Sequence, residues 1–232
     1  MSPANSAKKK LHATRLDLQA IENSLIAVQT NFDAINKTLC EPRTPLTDEV
    51  LGNMMAAYRF IDTALAEDLA LLELGQSTSL LELNRLVLFG DKPENQQQQS
   101  DQIKATQEHF YQLSDYGGVG ELIEWLRLHD HKNIWWTAAG LYIHIISQPQ
   151  LFIEGNHRTG AILMSYLLCK NGKPPFVLSV DNARAHFDPS SLAKGMHKHG
   201  VRSLLMIPKL KKRLARNLKQ SAVPDYLLSS AE

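Results

Sequence analysis

The sequence predicts an all-α protein. Apolar residues recur at three- and four-residue spacing through most of the chain, as in Leu18, Ile21, Leu25, Val28, Phe32, Ile35 and Leu39. Proline or glycine stands where such runs stop, at Pro42, Pro45, Gly75, Gly90, Pro149 and Gly172. One short run, Phe176–Val180, reads as extended, directly after Pro174-Pro175. No internal repeat is visible.

The first helical stretch runs from Leu11 to about Leu39 and ends at the prolines. Thr47-Asp48-Glu49-Val50 then reads as a helix start, with Thr47 as N-cap and two acids near the positive dipole end. That helix is expected to reach about Leu74, with Gly75 closing it. A third begins near Ser77 or Thr78 and ends near Gly90. Residues 91–100, Asp-Lys-Pro-Glu-Asn-Gln-Gln-Gln-Gln-Ser, are polar and of low complexity and read as a loop or linker. Helical periodicity resumes from Gln102 to Leu113, Tyr116–Gly120 reads as a flexible turn, and Glu121–His129 and Ile134–Ser147 are further helices. Thr159–Lys170 is a strongly apolar helix closed by Asn171-Gly172. Pro208–Gln220 reads as a basic helix with proline tolerated in its first turn, carrying Lys209, Lys211, Lys212, Arg213, Arg216 and Lys219. Its Leu210, Leu214 and Leu218 recur every four residues and should pack on the bundle. The chain divides into an N-terminal helical extension (1–90), a core (101–200) and a basic C-terminal helix and tail (201–232).

The 232 residues suit one large domain, or one with a small appendage, and the 44% hydrophobic and 21% charged content is ordinary for a globular chain. A formal net charge of +1 gives no global electrostatic case for nucleic acid. Two distant cysteines, Cys40 and Cys169, fit a reducing compartment and have no metal or redox spacing. The basic N-terminus has no apolar segment behind it, and no window approaches the roughly 18 apolar residues of a membrane span. A cytoplasmic protein is expected; an effector exported by a specialised secretion system would share this composition.

The chemistry concentrates in residues 150–160, Gln-Leu-Phe-Ile-Glu-Gly-Asn-His-Arg-Thr-Gly. Gly155 permits positive φ or close approach of a ligand to the backbone. Asn156 tolerates left-handed geometry and carries an amide that can donate. Arg158 offers a planar fork suited to phosphate. Thr159 and Gly160 open the apolar helix, so free N–H groups and the positive dipole end point into the loop, a ready anion site. Glu154 could hold a divalent metal bridging phosphate oxygens. The same residues also suit a plain capped helix with a structural Glu–Arg pair.

These residues resemble the Fic/Doc signature, His-x-Phe-x-(Asp/Glu)-Gly-Asn-Gly-Arg-x-x-Arg, with lysine in place of the glycine after Asn in the Doc branch. Phe152, Glu154, Gly155, Asn156 and Arg158 match in order. The likeness extends over roughly residues 78–195 and implies a Fic-like helical core with room for a short β-hairpin flap near Tyr116–Gly120. It implies ATP or another nucleotide as ligand, with Mg²⁺ on Glu154 and phosphate on Gly155, Asn156, His157, Arg158, Thr159 and Gly160. It also implies a target protein whose Ser, Thr or Tyr hydroxyl receives the transferred group.

The departures bear on function. Gln150 stands where the family has its catalytic histidine, and an amide cannot act as general base; such a loss usually costs about 10²–10⁴ in rate. Ala161 stands where the second arginine is expected, and His157 occupies a Gly or Lys position. His157 is a possible substitute base; His144, on an apolar helix face, reads as a core residue. Thr78-Ser79-Leu80-Leu81-Glu82-Leu83-Asn84 resembles the family's inhibitory helix, (Ser/Thr)-x-x-x-Glu-(Gly/Asn), with Glu82 in the key place and Arg158 as its available partner. Three functions follow: a degenerate Fic-like binder of a nucleotide or phosphorylated ligand with weak or absent AMPylation, an active divergent transferase, or a non-catalytic interaction protein with a vestigial pocket. His186, His197 and His199 lack zinc spacing, and Trp125, Trp135 and Trp136 read as core.

Overall fold

A computed structural model describes residues 14–91, 96–111 and 118–228, with only the backbone described at 96–98. In chain order the elements are β1 (Arg15–Leu16), α1 (Leu18–Thr30), α2 (Phe32–Asn36), α3 (Asp48–Ala66), α4 (Ser77–Phe89), α5 (Gln96–Tyr111), α6 (Val119–Leu128), α7 (Ile134–Ile146), α8 (Asn156–Lys170), α9 (Ala183–Lys194), α10 (Val201–Gln220), a 3-10 turn (Pro224–Tyr226) and β2 (Leu227–Leu228). The fold is all-α, as the periodicity predicts.

The boundaries follow from local hydrogen bonds. Asp17 caps α1 by accepting from the Ala20 N–H at 2.9 Å. Asn31 then interrupts the expected single helix: its amide donates to the Ala27 carbonyl at 2.8 Å, and the chain restarts as α2. Thr47 caps α3 as predicted, accepting from the Val50 N–H at 3.2 Å. The helix stops at Ala66, well short of Leu74, where Asp68 adopts a left-handed φ of 56°. The segment beyond is gripped by α8 instead. The Tyr166 hydroxyl donates to the Leu69 carbonyl and accepts from the Leu71 N–H.

Four further boundaries differ from the sequence reading. The expected loop at 91–100 contains the start of α5 at Gln96, since glutamine is a good helix former. The helix expected from Thr159 starts at Asn156. Helix α9 was not foreseen, because Pro189 lies in its interior. A proline there frees the carbonyl four residues earlier, and Asn217 of α10 fills that role by donating to the Ala185 carbonyl at 2.9 Å. Helix α10 begins at Val201 and carries Pro208 within it rather than in its first turn. The Phe176–Val180 run joins no strand; side chains pair its carbonyls, Tyr58 and Ser165 on Phe176, Asn182 on Val177 and Ser24 on Leu178.

The one strand pairing among the described residues is β1 with β2, antiparallel, Arg15 opposite Leu228 and Leu16 opposite Leu227. It joins the two ends of the described chain and is no hairpin flap. Of the flap candidate, Tyr116 and Gly117 lie outside the described residues, and the chain enters α6 at Val119. Asp62, 3% exposed, anchors β1 to α3 by accepting from the Leu16 N–H and the Arg15 guanidinium.

Helices α7 and α8 form the centre, with α3 and α4 packed on α8 and α10 on α7. A continuous apolar core runs through residues from Leu16 to Leu218 and includes Leu210 and Leu214 of α10. Gly140 lets α6 approach α7: a Cβ there would lie 2.3 Å from the Trp125 ring. Among the described residues no helix is long and apolar enough to cross a membrane.

Candidate functional site

The loop between α7 and α8 is built around two residues. Phe152 is 1% exposed and stacks on Phe110 with ring centroids 5.4 Å apart. Asn156 closes the loop on itself. Its Oδ1 accepts from the Phe152 N–H at 2.9 Å, and its Nδ2 donates to the Phe152 carbonyl at 2.7 Å. The amide expected to meet a ligand is therefore spent on the loop. Gly155 caps α8 with φ of 75°, and a Cβ there would meet Asn84 at 2.9 Å and Leu88 at 3.2 Å. Only glycine fits both constraints.

Helix α4 grips this loop through Asn84. Its Nδ2 donates to the Glu154 carbonyl at 3.0 Å and to Thr159 Oγ1 at 2.9 Å. Arg158 donates to the Val87 carbonyl at 3.0 Å, satisfying one of the last carbonyls of α4. Glu82 does not reach Arg158; it forms a two-pronged pair with Arg85 at 2.7 and 2.8 Å. Helix α3, not α4, supplies Val50 and Met54 to the cavity wall beside Ala161.

Beside the first turn of α8 lies a cavity of about 360 Å³. Arg43, His157, Arg158 and His186 supply its polar wall, Val28, Phe32, Met54 and Phe187 much of its apolar wall, and no acidic residue lines it. Three buried polar atoms on this wall have no partner: Arg43 Nε, His157 Nε2 and His186 Nδ1. Unpaired buried polar atoms are costly and rare in folded proteins. Arg43 is held by the hydroxyls of Ser190 and Ser191 and lies 5.2 Å over the Phe187 ring. His157 Nδ1 meets the Tyr142 hydroxyl at 2.9 Å. His186, 5% exposed, stacks on Phe176.

Burial, reinforced by nearby Arg43, pushes His157 and His186 down to about 3. Burial and the charges of Lys198 and Lys211 push His144 to about 2. These values lie below the ordinary 6.5, so the unfolded chain binds more protons in between. Stability contributed by keeping these rings neutral is complete above about pH 6.5 and is lost as pH falls towards about 3. The melting temperature should therefore drop as pH is lowered from about 7 to about 4, and His186→Phe should flatten that slope. An unchanged slope in the variant would contradict the assignment.

His157 and Arg158 thus face one cavity together. Thr159 and Gly160 lie buried in α8, Thr159 bonded to Asn84 and Gly160 close against Tyr142. Gln150 and Glu154 do not line the cavity. Gln150 donates to the Ile146 carbonyl at 2.9 Å, and the exposed Glu154 carboxylate accepts from Gln102 at 3.1 Å. Among the described residues no three His, Cys, Asp or Glu side chains gather to hold a metal. His144 is buried in the core, as expected, with Nε2 3.7 Å from Glu121. Three contributors escaped the sequence reading: Arg43, distant in sequence; His186, weighed there only as a metal ligand; and His109, whose Nε2 meets the Gln150 carbonyl at 2.9 Å.

No family model and no curated protein matches the chain. Among solved structures, it is similar to a fragment of Fic-1 from C. elegans (16% identity, TM-score 0.47, covering 91% of this chain and 65% of that one). It is also similar to a Fic domain containing signaling protein from Bacteroides thetaiotaomicron (16% identity, TM-score 0.48, 88% of each chain). A glutamate-to-glycine variant of the C. elegans fragment is similar at 15% identity and TM-score 0.45, covering 88% of this chain and 59% of that one.

Proposed function

We propose that this chain is a degenerate Fic-like domain that holds a nucleotide or other phosphorylated ligand in the cavity beside α8, with weak or absent group transfer. The observation that carries this reading is the acid-free cavity with three unpartnered buried polar atoms. Two guanidinium forks and the positive end of α8 suit a phosphate. The neutral imidazoles can each give or take one hydrogen bond. The apolar wall suits a ring system. Transfer onto a target-protein hydroxyl requires a base, and the cavity presents no effective one: Gln150 is an amide, the Glu154 carboxylate does not line the cavity, and a His157 with pKa about 3 is a weak acceptor of protons near neutrality. Glu154, the carboxylate of the loop, does not line this cavity and accepts from Gln102, so magnesium would enter with the ligand, held by phosphate oxygens and water.

The test is calorimetric titration of the purified chain with ATP and Mg²⁺. Saturable binding is expected, weakened roughly 10- to 100-fold by Arg43→Ala, the range for losing a charge-assisted hydrogen bond. Glu82→Ala should leave it unchanged, because Glu82 pairs with Arg85 away from the cavity. Binding of pyrophosphate but not ATP would point to another phosphorylated ligand. Binding of neither would sink the reading and favour a scaffold with a vestigial pocket. Label transfer by Gln150→His but not by the wild type would locate the lost step at position 150.

A further inference from the structure

We propose that the outward face of α10 docks on an anionic lipid surface. Val201, Leu204 and Leu205 are 81%, 69% and 70% exposed on its first turns. Arg202, Lys209, Lys212, Arg213, Arg216 and Lys219 are exposed on the same helix, which contains no acidic residue. Val201, Leu205, Pro208, Lys212, Arg216 and Lys219 follow one another at three- and four-residue steps, so they form a single ridge. The opposite face is fixed to the domain through buried Ser203, Leu210, Leu214 and Leu218. Lys211 leaves the ridge and turns inward, its Nζ 4.3 Å over the Trp125 ring.

The two halves of the ridge select the occupant. A nucleic acid would meet the cations but leave three large aliphatic side chains in water. A lipid interface takes both: the apolar turns enter the headgroup–acyl boundary while the cations lie among anionic headgroups. The helix is anchored in the fold, so attachment is peripheral and reversible.

Co-sedimentation of the whole chain with vesicles tests this. Binding is expected with phosphatidylcholine mixed with phosphatidylserine, and little with phosphatidylcholine alone. Lys212→Glu with Arg216→Glu should weaken binding at least ~25-fold, from roughly fivefold per cation. Leu204→Ser with Leu205→Ser should also weaken it several-fold. All four positions are exposed, so circular dichroism should show an unchanged fold. The proposal is overturned if the wild type fails to bind the anionic vesicles. It is equally overturned if the serine pair binds like wild type, or if the chain binds duplex DNA, with loss only in the glutamate pair, and ignores vesicles.

Discussion

Asn156→Ala is expected to lower stability by about 2–6 kcal/mol, because it leaves the N–H and the carbonyl of Phe152 buried and unpaired at about 1–3 kcal/mol each. Both bonds are short and fully buried. Chemical denaturation measures the loss as a lower midpoint at constant slope. Gln150→Ala is the comparison: it loses the long 3.4 Å contact with Asn156 and one part-buried bond to the Ile146 carbonyl, and should cost less, about 0.5–1.5 kcal/mol. A change below about 1 kcal/mol in Asn156→Ala would mean that the amide is not the brace of this loop and is available to a ligand.

Phe152→Ala should cost about 3–5 kcal/mol, the usual range for emptying a buried aromatic site. The ring is 1% exposed and ties the loop to α5 through its stack on Phe110. Because Asn156 holds the backbone of the same residue, the two losses should not add. A double variant should fall short of the sum by about 0.5–3 kcal/mol, the range of coupling between contacting residues. Full additivity would mean that ring and amide support separate parts of the structure.

The helices were legible because periodicity and capping are local. Thr47 caps α3, Asn171-Gly172 closes α8, and Leu210, Leu214 and Leu218 face inward, each as their spacing requires. Two of the misreadings, at α9 and beyond α3, share a cause, which is compensation by residues distant in sequence. Pro189 forbids a helix until Asn217 takes the freed carbonyl of Ala185. Tyr166 holds the turns after α3 that periodicity would have continued. The glycine and arginine of the loop were legible for the same local reason, since positive φ at Gly155 and a fork at Arg158 are intrinsic to the residue types. The cavity was not. It draws Arg43 from before α3, His157 from α8 and His186 from α9, and no spacing in the chain joins them. The role of Asn156 was also hidden, because an asparagine at a helix start serves a ligand or its own loop with equal ease, and only the positions of Phe152 N–H and C=O decide.

The most direct test of a phosphate site beside α8 is nuclear magnetic resonance of the chain labelled with ¹⁵N at its histidine rings, titrated with ATP and Mg²⁺. His157 and His186 present the unpartnered ring nitrogens of the cavity, so their signals should shift with one common saturation curve, while His144, buried against Glu121, should stay in place. If ATP binds and the His157 and His186 signals remain unmoved, the ligand lies elsewhere and the account of the cavity is wrong.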